Sequence, residues 1–242
     1  LDSLGELKIL RGELDEAEQL LTRAVAFARE RKREWYEAQA LRNLARCFLA
    51  QGKFKEAIST ARDTIDLSAT IGDKHYANMA GLVLAESYLS EGGLVECENC
   101  LKVIEDNDPN SDFFVLGNIQ RIRGMAALED DDEQIAVHHF NRSLTIFEAA
   151  EDLYHTALVH FLIGGHLTTS QTSRAVKHLS KAGEIFKKLG VKSFVDSVSG
   201  KILELKDPKL EKKPVSENLR QNSVVSQLLM MRLAEATASR EL

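Results

Sequence analysis

Cys97, Glu98, Asn99 and Cys100 form the one C-x-x-C of the chain. Two thiolates at that spacing can grip a metal ion or cycle as a redox pair. A structural zinc site needs about four ligands, and no second pair supplies them. A thioredoxin-like pair needs a βαβ setting, which the sequence does not offer. The seven histidines are scattered. His138 and His139 are adjacent and point apart on a helix, and His160 and His166 are six apart and share no face well. Glu129 to Glu133 is a run of five acids. It lacks the spaced geometry of a calcium loop and suits the start of a helix instead. There is no GxxxxGK[ST] loop, and no serine or cysteine has an identifiable base. We therefore expect no catalysis, no metal and no cofactor, and we read Cys97 as a small packing residue.

Two arginines offer different chemistry. Arg42 and Arg46 are four apart and share one helix face, with Gln39 and Asn43 alongside. Guanidinium groups suit bidentate carboxylate recognition and stacking. Such a face suits either a binding surface or an internal ion pair, so the elements that would carry it decide the reading.

Those elements are helical. The chain has 242 residues, 44% of them apolar and 6% aromatic, so its core is built from Leu, Ala, Ile and Val. It holds 3 prolines, which disfavours a many-turned all-β fold. The net charge of -6 argues against a nucleic-acid binder. No apolar run is long enough to span a bilayer. An odd number of cysteines fits a reducing compartment, and we expect a cytoplasmic protein.

The sequence repeats. LGELKILRGELDEAEQLLTRA, LARCFLAQGKFKEAISTARDT and LAESYLSEGGLVECENCLKVI align on Gly12, Gly52 and Gly92. Small residues recur at Ala17, Ala57, Cys97, Ala136 and Ala175. Four residues on come Leu21, Ala61, Leu101, Phe140 and Leu179. Apolar residues return at three and four, as in Leu41, Leu44, Ala45, Phe48 and Leu49. Each unit of about 40 residues is thus a helical hairpin, with glycine breaking one helix from the next. Asp131 and Ser170 stand where the fourth and fifth units should have that glycine.

This pattern resembles the tetratricopeptide repeat (TPR) in a long-repeat form. The family's Leu-Gly pair is matched by Leu4-Gly5, and with Ala for Gly by Leu44-Ala45 and Leu84-Ala85. Its aromatic is matched by Phe48 and Tyr88, and its second-helix Ala by Ala17, Ala57, Ala136 and Ala175. The resemblance covers residues 1 to 190 and implies an all-α, right-handed superhelical solenoid of about five hairpins. It implies a protein or peptide partner held along the first helices. The groove residues would be Gln39, Arg42, Asn43, Arg46 and Glu86, followed by Asn118, Arg121 and Met125, with Leu82, Val83 and Leu89 adding apolar surface. An acidic or amphipathic peptide would suit them, unless Arg46 is spent on an internal pair with Glu86. Chaperone-binding members clamp a C-terminal carboxylate with a Lys and an Asn. Asp2 and Glu6 stand at those positions, so that ligand is excluded.

Beyond the repeats, Phe194, Val195, Val198, Ile202 and Leu205 are spaced as a capping helix, which completes a solenoid over residues 1–205. Residues 206–221, with Pro208 and Pro214, read as a linker. Residues 222–242 read as a separate amphipathic helix with Val225, Leu228, Leu229 and Leu233 on one stripe. We expect a homodimer through that helix, with folding back onto the groove second and a disordered helix as the third outcome. Both ends look cut, so a piece of a larger protein is expected. The segment LLMMRLAEATASREL is similar to the stretch that joins TPR arrays to GAF sensor domains, as in bacterial sigma-54-type activators. The function expected is that of a regulatory, non-catalytic binding module in bacterial signalling or transcription, without nucleic-acid or membrane contact of its own. The alternative is a peptide-pheromone receptor domain that changes conformation on binding.

Overall fold

The computed structural model describes residues 1–107, 109, 112–166 and 171–206. The expected linker and the stripe Val225, Leu228, Leu229 and Leu233 lie outside the described residues, as does Ser170. Among the described residues there are eleven helices and no strand. In order they are α1 (Asp2–Leu10), α2 (Leu14–Glu30), α3 (Glu34–Ala50), α4 (Phe54–Ile71), α5 (Lys74–Ser90) and α6 (Leu94–Asp106). Then follow α7 (Phe113–Glu129), α8 (Glu133–Ala149), α9 (Leu153–His166), α10 (Thr172–Leu189) and α11 (Lys192–Lys206). The fold is all-α, and α1 to α10 pair into five hairpins. The chain divides into two compact units, one through Val115 and the other from Leu116.

The turns explain the pairing. Glu13 N–H donates to the Lys8 carbonyl while Gly12 N–H donates to that of Ile9. That is the reciprocal closure of a helix C-terminus, and it needs a left-handed residue in the middle. Gly12 supplies it with φ +76° at no steric cost. The same two bonds close the end of α7 through Asp131, whose φ is +56°. Asp131 therefore does the work of the expected glycine, and the fourth repeat keeps its register. Lys32 and Glu151 take the same conformation between hairpins. Aspartates then start the next helices. Asp73 accepts from Tyr76 N–H, Asp112 from Val115, Asp132 from Ile135 and Asp152 from His155. The end of the acidic run is thus a helix cap.

The hairpins close on the small-residue slots. Ala17, Ala57, Cys97, Ala136 and Ala175 are at most 1% exposed. The first helix of each hairpin offers a matching slot at Gly5, Ala45, Ala85, Gly124 and Gly164. A Cβ built on Gly5 would meet Leu21, on Gly124 Phe140, and on Gly164 Leu179. These are the residues read from the sequence as the second packing position. The weaker fourth and fifth repeats therefore pack in the same register as the first three.

In the first unit the opening helices of the hairpins lie side by side, α1 on α3 and α3 on α5. In the second, α9 packs on α8 and α10, and α11 packs on α10. Phe194 of α11 stacks on Phe186 of α10 at 4.5 Å between ring centres, and Val198 is buried with it. Among the described residues no helix is long and apolar enough to cross a membrane.

Candidate functional site

Positions 35, 39, 42 and 46 of α3 are spaced four, three and four apart, so they run down one face. Trp35, Gln39, Arg42 and Arg46 occupy them. Forty residues on, α5 sets His75, Met79, Leu82 and Glu86 in the same register. Forty residues back, α1 sets Asp2 and Glu6 beside Arg42 and Arg46.

Arg46 Nη1 donates to Glu6 Oε1 at 2.8 Å, and at 3.3 Å to Asn43 Oδ1. Asn43 Nδ2 donates to Asp2 Oδ1 at 2.8 Å. The internal pair expected between Arg46 and Glu86 is therefore made with Glu6, on the preceding repeat instead of the following one. Asn43 has no exposed surface, so it ties α3 to α1 and does not line an open groove. Asp2 and Glu6, expected to repel a terminal carboxylate, belong to the same joint.

Arg42 is different. It is 7% exposed, yet among the described residues it makes no hydrogen bond or ion pair, and its buried Nε has no acceptor. Burial lowers its pKa, and the charge of Arg46 adds to that. Its guanidinium carbon lies 6.0 Å from the centre of the Tyr76 ring, within reach of a cation–π contact. Trp35 meets Tyr76 edge-on at 5.4 Å and Tyr36 at 5.2 Å. Tyr76 is buried, whereas Trp35 is 48% and Tyr36 60% exposed. The sequence reading missed this aromatic group. One signal was visible, because Tyr36 and Tyr76 are 40 residues apart and so occupy one repeat position.

The remaining expected residues fall in the second unit and form a cluster of their own. Arg121 Nε donates to Asn118 Oδ1 at 2.9 Å, and its Nη1 lies 3.6 Å from Met125 Sδ. Both polar residues are buried and Met125 has no exposed surface. Leu89, expected to face the groove, is likewise fully buried core.

A polar pair that no spacing announced joins α9 to α10. His160 and His178 approach Nδ1 to Nδ1 at 2.8 Å, so one ring donates and the other accepts. Burial, with Lys181 and His178 adding to it, lowers the pKa of His160 to about 4. Burial, then Arg174 and Lys181, also lowers that of His178. The thiols are quiet. Burial raises the pKa of Cys47 to about 12 and that of Cys100 above its usual value. Among the described residues no group of three or more His, Cys, Asp or Glu side chains is placed to hold a metal ion.

Comparison with known proteins agrees with this geometry. A family model described as tetratricopeptide repeat matches residues 1–69. Residues 1–69 thus match the tetratricopeptide repeat, and α1 to α10 continue the same helical-hairpin pattern. Among solved structures it is similar to BtubC (BKLC) from P. vanneervenii, with a TM-score of 0.53 at 14% identity. That match covers 84% of this chain and 95% of BtubC, and at so low an identity it speaks for the fold alone. No curated protein matches the sequence significantly. The tetratricopeptide repeat is a family of scaffolds for protein–protein interaction. The match spans α1 to α4, so it includes the α1–α3 joint and Arg42.

Proposed function

We propose that this TPR array holds a peptide segment of a partner protein along the face made by α1, α3 and α5, as the regulatory module of a larger bacterial signalling or transcription-regulating protein. The observation that supports this most is the make-up of α3. Its row Trp35, Gln39, Arg42 and Arg46 is aromatic, polar and charged, although α5 fills the matching position of Arg42 with Leu82, buried at 5% exposure. Packing alone accepts an apolar residue there, so the polar row answers to something else. In this reading the module carries out no catalysis, takes no cofactor and works in the cytoplasm.

Hydrogen exchange during titration with a mixture of short tryptic peptides tests the proposal. Protection should rise on α1, α3 and α5 and stay unchanged on α2, α4 and α6. Protection confined to the second helices would move the binding face to the other side of the unit. A scaffold keeps its hydrodynamic radius on saturation, whereas a receptor domain that changes conformation compacts.

A further inference from the structure

We propose that Arg42, with Tyr76 beside it and Trp35 against the Tyr76 ring, is the anchor for one carboxylate side chain of the bound peptide, an aspartate or glutamate placed next to an apolar residue. This rests on the peptide-binding reading above and narrows it to one contact.

A buried charge without a partner is costly, and proteins keep such a group paired or hydrogen-bonded. Arg42 is more than nine-tenths buried and has neither among the described residues. Of the nearby carboxylates, Glu6 accepts from Arg46 and Asp2 accepts from Asn43 through Oδ1, while Asp2 Oδ2 is buried without a hydrogen bond, and neither bonds to Arg42. They lower the local potential without touching the guanidinium, so a singly charged carboxylate suits the site better than a doubly charged phosphate. The Tyr76 ring lies on one side of the guanidinium, 6.0 Å from its carbon. Trp35, standing edge-on to that ring and half-exposed, offers an apolar wall one ring away from the charge. A partner with an acid beside an apolar side chain would fill both features at once.

The repeat register argues against a structural role. Leu82 occupies the position of Arg42 in the third repeat. Arg121 occupies it in the fourth, where Asn118 and Met125 satisfy it from its own helix. Arg42 alone combines the charge, the burial and the missing acceptor among these three positions. Replacing an unpaired buried charge by a well-packed apolar residue tends to be neutral or stabilising, whereas removing a paired one is destabilising.

The test uses the full chain and a bead-bound library of random peptides, acetylated at one end and attached through the other, so that no terminus carries a charge. Enriched sequences are resynthesised and titrated by the fluorescence of Trp35, the one tryptophan of the chain. Enriched peptides should share an Asp or Glu next to an apolar residue. Changing that Glu to Gln should weaken binding about tenfold or more, the size expected of a charge-assisted contact. Arg42→Leu should cause the same loss and leave the melting temperature unchanged or higher. Enrichment without acids, or full affinity in Arg42→Leu, would overturn the anchor and leave peptide binding standing. A marked fall in melting temperature for Arg42→Leu would also overturn it, by showing that the guanidinium serves the fold. If no peptide is enriched, the peptide-binding reading itself fails.

Discussion

Arg42 in the first unit and Arg121 in the second occupy one repeat position, and their surroundings could hardly differ more. Arg121 bonds to Asn118 and reaches Met125 within a single helix turn. Arg42 has an aromatic ring on one side and no acceptor among the described residues. The pair shows that residue type and register do not fix a role. An arginine whose donors are met inside the fold holds the fold, and one whose donors are left over is where the proposed ligand would bind. The same contrast holds for other polar groups. The second unit turns the buried His160 toward the half-buried His178, whereas in the first the buried Tyr76 lies between Arg42 and the half-exposed Trp35.

Substituting the two arginines breaks the comparison most directly. Arg121→Leu should cost about 2–3 kcal/mol in urea unfolding, because it removes a charge-assisted hydrogen bond to Asn118 in a buried site. Arg42→Leu should cost nothing. Equal losses would mean that both arginines are structural.

The glycine slots give the next effect. A Cβ on Gly124 would lie 2.5 Å from the Phe140 ring. Gly124→Ala should therefore destabilise the second unit by about 1–3 kcal/mol through overpacking. Hydrogen exchange should show the loss on α7 and α8. Slow exchange preserved there would mean that the ring can move aside.

The histidine pair predicts a pH dependence confined to the second unit. His160 faces His178 and Lys181 of α10 and Glu148 of α8, and His178 also feels Arg174. A folded pKa of about 4 for His160 lies below the unfolded value of 6.5. Acid then protonates the unfolded chain first. The stabilisation is complete above pH 6.5 and is lost as pH falls toward 4, by roughly 1–2 kcal/mol after allowance for solvent screening. Thermal melts followed by exchange on α9 and α10 should show the fall, and His160→Phe should reduce it, leaving the part due to His166, whose pKa burial also lowers to about 4. A slope of equal size on α3 and α5 would remove the contrast between the units.

The smallest effect concerns the turn at Asp131. Asp131→Gly should stabilise by about 0.5–1 kcal/mol, since it relieves a left-handed conformation at some cost in unfolded-chain entropy. A neutral or negative result in urea unfolding would mean that the aspartate is held there by a favourable contact with its own backbone.

Much of the fold was legible because a solenoid writes its packing at a fixed interval. Ala57 or Ala175 could be assigned to the interior from spacing alone, since the hairpin tolerates only a small side chain there. The candidate face was half legible. Arg42 and Arg46 could be placed on one side of α3, but the partner of Arg46 could not be chosen. Glu6 and Glu86 both stand 40 residues away, one on each neighbouring repeat, and only side-chain placement decides between them. His160 and His178 were invisible for a related reason. They sit on two antiparallel helices, and no period connects them. The isolation of Arg42 was equally hidden, because a sequence records which groups are present and not which of them are satisfied.

The glycine slots carry one more implication. In the hairpins α1–α2, α5–α6, α7–α8 and α9–α10, each hollow and the side chain that fills it lie on the two helices of one hairpin, as with Gly5 and Leu21, Gly81 and Ile104, Gly117 and Phe147, and Gly164 and Leu179. Lock and key are therefore inherited together. A duplication or transplant of one such 40-residue segment brings its own interior intact, whereas an exchange of single helices between repeats would set Phe140 or Phe147 against an alanine. Recombination in a lineage of such proteins should respect hairpin boundaries, and an engineer who shuffles these repeats should cut between hairpins and never inside one.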